Sequence, residues 1–107
     1  MQEIEVEQLS AAIERGARVV DVREPAEYAE GHVPGAHHIR MGRLADRIDE
    51  LDRDARIHVV CASGNRSAAV VEMLTALGFD AVNVRGGTSA WARSGRPLAR
   101  GSRAVET

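Results

Sequence analysis

The chain has one cysteine, three prolines, 3% aromatic residues and no lysine at all. Each shortage excludes something. A lone cysteine, Cys61, rules out an internal disulfide, so stability must come from burial and hydrogen bonding. So few aromatic side chains leave the core to Val, Leu, Ile and Ala. No apolar run is long enough for a membrane span or a signal peptide, which makes the cytoplasm the expected location. The 14 basic residues are all arginine, are scattered among 16 acids and give a net charge of −2. No basic stripe therefore points to nucleic acid or to an anionic membrane.

What is present suits one globular domain. The 107 residues are 44% hydrophobic and 28% charged, enough for a single core and not for two. We find no internal repeat. Ile4 to Val6 reads as a short first strand, followed by a helix lined by Leu9, Ala12 and Ile13 that stops at Gly16. Arg18 to Val22 is a second, buried strand. Pro25 suits the first turn of a short helix, and the turn-rich Gly31 to Ala36 leads to a brief strand at His37 to Ile39. Leu44, Ile48 and Leu51 predict an amphipathic helix over 43–51. Ala81 to Val84 is a fifth strand, and Thr88 to Ser94 a last short helix carrying Trp91. Strands that are apolar throughout, alternating with helices, argue for a parallel sheet covered on both faces. The domain is expected over 1–98, with 99–107 a flexible tail that has little to bury.

The other strand and helix frame the chemistry. Ile57 to Val60 is a β-branched strand, and Val70, Leu74 and Leu77 mark a helix ending at Gly78. Between them lie Cys61 and the small polar loop Ala62-Ser63-Gly64-Asn65-Arg66, followed by Ser67. A strand turning sharply into a helix points free N–H groups and the positive end of the helix dipole at the strand's end. A thiol there is expected to ionise more readily than a free cysteine, whose pKa is about 8.5. Arg66 is the candidate cation, Gly64 permits the turn, and Asn65 or Ser67 is the candidate cap. Such a loop would hold an anionic group bonded to the sulfur. The residues alone leave a second reading open, in which Cys61 is a small buried hydrophobe and the loop an ordinary capped turn.

Three segments in this order resemble the single-domain rhodanese (rhodanese-like sulfurtransferase) family. They are Asp21-Val22-Arg23-Glu24-Pro25-Ala26-Glu27-Tyr28 with Gly31-His32-Val33-Pro34-Gly35-Ala36, then Cys61 to Ser67, then Gly86-Gly87 followed by Trp91. The resemblance spans about Glu5 to Pro97. It implies an α/β fold with a five-stranded parallel sheet and helices on both faces. It also implies Cys61 as a nucleophile that takes sulfane sulfur from a donor such as thiosulfate, becomes a persulfide and passes the sulfur to a thiol or to cyanide. The implied partners are a small-molecule donor and a thiol acceptor, or a sulfur-accepting protein, and no cofactor. The chain departs from the family in having His38 and Arg40 where Asn and Pro are common, with little functional effect expected. The neutral Ala62 and Ser63 stand where two-domain thiosulfate enzymes carry basic residues, which argues against a strong thiosulfate preference.

Other residues are weighed beside these. Asp21 and Arg23, two apart on a strand, share a face and are expected to support the loop through an ion pair or hydrogen bonds. Tyr28, His32 and Trp91 are read as packing and turn residues. His58 and Cys61, three apart, point to opposite faces, His37 and His38 diverge, and no second cysteine completes a set, so no metal is expected. One alternative is a cysteine-dependent phosphatase or arsenate reductase. Those enzymes hold five residues between Cys and Arg to ring a tetrahedral oxyanion, whereas four intervene here. A second alternative is a non-enzymatic binding or regulatory module of the same fold, and such modules often lose the cysteine.

Overall fold

The computed structural model describes residues 1–101. Five strands form one sheet in the order β1-β5-β4-β2-β3, and every pairing is parallel. They are β1 (Glu3–Ile4), β2 (Arg18–Asp21), β3 (His37–His38), β4 (Ile57–Val60) and β5 (Ala81–Val84). The helices are α1 (Val6–Glu14), α2 (Pro25–Glu30), α3 (Asn65–Ala76) and α4 (Gly87–Arg93). All residues of β4 and β5 are buried, as expected of central parallel strands with both faces covered.

Successive strand residues point to opposite faces, and two cores result. On one face Val20, Ile57 and Val59 pack with Val70, Val71 and Leu74 of α3. On the other, Val19, Val60 and Val84 pack with Leu9 of α1, Tyr28 of α2 and Trp91 of α4. Trp91 fills that core and donates its Nε1–H to the Pro97 carbonyl at 2.8 Å. Tyr28 donates to the Ala36 carbonyl at 2.7 Å and stacks on His32 with ring centroids 3.6 Å apart.

Two expectations differ from the structure. Val6 starts α1 rather than ending β1. The segment over 43–51 is not an α-helix but belongs to two 3-10 turns, Met41–Arg43 and Ala45–Glu50. Arg47 leaves helical geometry at φ −115° and ψ 19°, yet Leu44, Ile48 and Leu51 still reach the core. Side chains spaced three or four apart can be delivered by 3-10 turns as well as by an α-helix. Residues 99–107, expected to form a flexible tail, divide in two. Ala99 exchanges backbone hydrogen bonds with His32, both at 2.9 Å, Gly101 N–H reaches the Ala29 carbonyl, and Arg100 donates to the Glu30 carbonyl. The rest of that segment, 102–107, lies outside the described residues.

Candidate active site

Asp21, Val60 and His38 end adjacent strands at one edge of the sheet, and Cys61 follows β4 there. That is where ligands of parallel α/β sheets bind. Cys61 is 1% exposed. Gly64 N–H donates to its Sγ at 3.1 Å, and Ser67 Oγ lies 3.3 Å from the same atom. Burial pushes the thiol up, but the Ser67 hydroxyl and the backbone N–H groups of Ser67, Gly64 and Ser63 more than offset it. The thiol ends below its ordinary value, as hydrogen bonds to the charged form require.

The turn rests on two glycines. Gly64 stands at φ 103° as the residue before α3, a conformation costly for any residue with a Cβ. Neither Asn65 nor Ser67 caps that helix, for no side-chain cap bond is present. Asn65 is exposed, and Ser67 is turned inward to the sulfur. Gly87, at φ 56°, touches the loop so closely that a Cβ would overlap the Cys61 carbonyl oxygen and come within 2.9 Å of Ala62. Thr88 and Ser89 N–H then donate to the carbonyls of Cys61 and Ala62 at 2.9 and 3.0 Å.

Arg66 does something other than expected. Its guanidinium is bidentate to Glu27, at 2.8 and 2.9 Å. Glu27 is held at about 2, first by the Arg66 hydrogen bond. The donors that lower the thiol most are the hydroxyl and amides named above, while Arg66, paired with Glu27, is also coupled electrostatically to Cys61. The spacing Glu27 to Arg66 gave no hint of the pair.

Asp21 and Arg23 do form a buried ion pair. Asp21, fully buried, accepts from Arg23 N and Nε at 3.0 Å each and from Nη2 at 2.9 Å. The same Nη2 donates to the Gly31 carbonyl at 2.8 Å. His38 Nε2–H donates to the Arg23 carbonyl at 2.7 Å, so the turn after β2 is clamped to the Gly31 turn and to β3. Removing one partner of such a pair costs about 3–5 kcal/mol, because a buried charge is left alone.

One residue escaped the sequence reading. Asn83 on β5 is buried and sits against Ser67, with Oδ1 to Oγ at 2.5 Å. Its Nδ2 donates to Gly64 O and to Glu3. An Asn in the middle of an apolar strand was the available signal, since a buried amide must find partners.

His58 lies away from the site, bonding the Arg18 carbonyl through Nδ1, and its pKa is lowered chiefly by burial. Among the described residues no group of three or more His, Cys, Asp or Glu is placed to hold a metal. No helix among them is long and apolar enough to cross a membrane. Two concavities of about 340 Å³ open at the opposite end of the sheet, by Arg18. Neither concavity includes Cys61 or its loop.

Residues 5–94 match the model of the family described as the rhodanese-like domain. YtwF of Bacillus subtilis is 44% identical over 79 residues, covering 74% of this chain and 77% of its own length. Thiosulfate sulfurtransferase GlpE of Pseudomonas aeruginosa is 40% identical over 91 residues, 84% of this chain and 83% of that one. The crystal structure of a rhodanese-related protein from Thermoplasma volcanium superposes with a TM-score of 0.87 at 37% identity, covering 92% of this chain and 98% of that one.

Proposed function

The chain belongs to the rhodanese-like domain family, and on that premise we propose that it is a sulfurtransferase whose nucleophile is Cys61. The observation that carries this reading is the set of donors converging on Cys61 Sγ, from Gly64 N–H, Ser67 Oγ and neighbouring amides. They favour the thiolate, which is the attacking form. The similarity to a thiosulfate sulfurtransferase supports the same chemistry.

In the proposed cycle the Cys61 thiolate attacks the outer sulfur of thiosulfate. The S–S bond of the donor breaks, its electron pair leaves with sulfite, and Cys61 holds a persulfide anion. The loop amides stabilise that anion. An acceptor thiolate, or cyanide, then attacks the outer sulfur, and the electron pair of the Cys61 S–S bond returns to Sγ. Arg66 is paired with Glu27 and Ala62 and Ser63 are neutral, so a doubly charged donor meets little net positive charge. Thiosulfate should serve as a donor of modest affinity. Asp21 and Arg23 support the loop without touching substrate. The catalytic unit is the domain expected over 1–98, onto which Ala99 and Gly101 are hydrogen-bonded. A reducing cytoplasm suits an unpaired reactive thiol, with a small-molecule donor and a thiol or protein acceptor as partners.

Intact mass after incubation with thiosulfate tests the reading. One added sulfur atom, removed by cyanide and absent from Cys61→Ser, is the expected result. An unchanged mass with thiosulfate and with a second sulfane donor would sink it.

A further inference from the structure

Ser67 has one hydroxyl proton and two acceptors. Its Oγ lies 3.3 Å from Cys61 Sγ and 2.5 Å from Asn83 Oδ1. A hydroxyl donates once, so only one of them can receive the proton at a time. The Asn83 amide cannot turn to escape the contest. Its Nδ2 donates to Glu3 Oε2 at 2.9 Å and to the Gly64 carbonyl at 3.2 Å. Flipping it would set an amide oxygen against a carboxylate and a carbonyl. Ser67 is 0% and Asn83 1% exposed, so Asn83 Oδ1 is left unpaired in the interior when it loses the proton, whereas Sγ keeps the Gly64 N–H.

We propose that Asn83 is a positioning residue for this sulfur transfer: its Oδ1 competes with Cys61 Sγ for the Ser67 proton, holding it while Sγ is uncharged and yielding it when Sγ is an anion. The inference rests on Cys61 being the nucleophile. In the resting thiolate the hydroxyl turns to sulfur. In the persulfide the charge sits on the outer sulfur, Sγ is neutral, and the hydroxyl returns to Asn83. When an acceptor thiolate takes the outer sulfur, the Sγ–S bond breaks and its electron pair goes to Sγ. The hydroxyl swings back as that charge develops, which is when stabilisation accelerates the step. Asn83 thus keeps the persulfide from being outmatched by an over-stabilised thiolate.

The charged groups around the loop do not supply this alternation. Asp21 and Arg23 at the end of β2 are paired with each other, and Glu27 of α2 is paired with Arg66 of α3. On the β1 and β5 side, Glu3 stands behind Asn83 and is bonded to Arg85, which also pairs with Glu5. From α4 the loop is met by Gly87, Thr88 and Ser89, none of them charged.

The test is the pH dependence of iodoacetamide alkylation of Cys61 in the full chain, with Asn83→Leu made in the Ser67 and the Ser67→Ala backgrounds. Releasing the hydroxyl should lower the apparent thiol pKa by about half a unit, a roughly threefold faster alkylation near neutral pH. In Ser67→Ala the same change should do nothing. Asn83→Asp keeps an acceptor in place and adds charge, so it should raise the pKa, and more with Ser67 present than without. An equal shift in both backgrounds, or no fall with Ser67 present, overturns the proposal. If Asn83→Leu does not fold, an Asn83→Asp rise that is no larger with Ser67 than without overturns it as well. Alkylation needs no turnover, so this result is separable from failure of thiosulfate to load sulfur on the protein.

Discussion

Helices α3 and α4 both follow a glycine in the left-handed region, Gly64 at φ 103° and Gly86 at φ 76°, and neither has a side-chain cap. Their first turns are put to different uses. Around the start of α3, N–H groups face the Cys61 sulfur. At the start of α4, Thr88 and Ser89 N–H are committed to the Cys61 and Ala62 carbonyls. On the proposed reading, one terminus serves an anion on the sulfur because the other fixes the loop that shapes it. A helix N-terminus is therefore not a site by virtue of its dipole; what matters is whether its donors already have partners.

Emptying the α3 terminus should give the largest effect. Cys61→Ser should abolish sulfur transfer to cyanide while the near-isosteric change leaves the fold intact, as circular dichroism and a turnover assay would show. The same variant sharpens the electrostatics. The folded thiol has a lowered pKa, so its contribution to stability is fully present above the unfolded thiol pKa. That contribution is lost as pH falls through the folded value. Denaturant unfolding of the wild type should thus gain stability on alkaline titration, and Cys61→Ser should lack that increment. Parallel curves for the two proteins would contradict it.

Disturbing the α4 terminus comes next. Gly87→Ala forces a Cβ into the Cys61 carbonyl at a positive φ. The left-handed conformation alone costs about 1–2 kcal/mol, and the overlap adds about 1–3 more. A fall in melting temperature of roughly 10 °C or greater should accompany loss of transfer activity. A variant with wild-type stability would mean that the loop does not depend on this close approach.

The smallest effect should come from the rim. Glu27→Gln removes the carboxylate that neutralises Arg66, and this half-buried pair at the rim is worth about 1 kcal/mol. The depressed carboxyl, at about 2, contributes stability above the unfolded carboxylate range and loses it as pH falls toward that value. Activity should respond in the opposite sense. The freed guanidinium should lower the KM for thiosulfate severalfold with kcat little changed. An unchanged KM would show that Arg66 does not reach the donor in either state.

Much of this was legible in the chain itself. The apolar runs at 18–22, 57–60 and 81–84, and the helical spacing of Val70 and Leu74, announced a two-faced parallel sheet, and Cys61 before Gly64 announced the turn. What escaped were pairings between residues far apart in sequence. Nothing local ties Arg66 to Glu27, or Ser67 to Asn83 and Asn83 to Glu3. Those partners exist only once β5 lies between β4 and β1. The 3-10 turns over 41–50 were missed for a different reason. Apolar spacing reports which side chains reach the core, not which hydrogen-bond pattern carries them there.

The order of the strands also bears on how the protein is made. During translation Cys61 emerges before Asn83, Gly87 and Thr88, and β4 waits for β5 to take its place between β4 and β1. Until β5 and α4 are made, nothing fixes the loop that holds the Gly64 N–H and the Ser67 hydroxyl to the sulfur, and the cysteine is an ordinary thiol, mostly protonated at neutral pH. Parallel pairing across a long separation in sequence is also slow to form. On the proposed reading, reactivity is thus withheld from the nascent chain until β5 and α4 have closed on the loop.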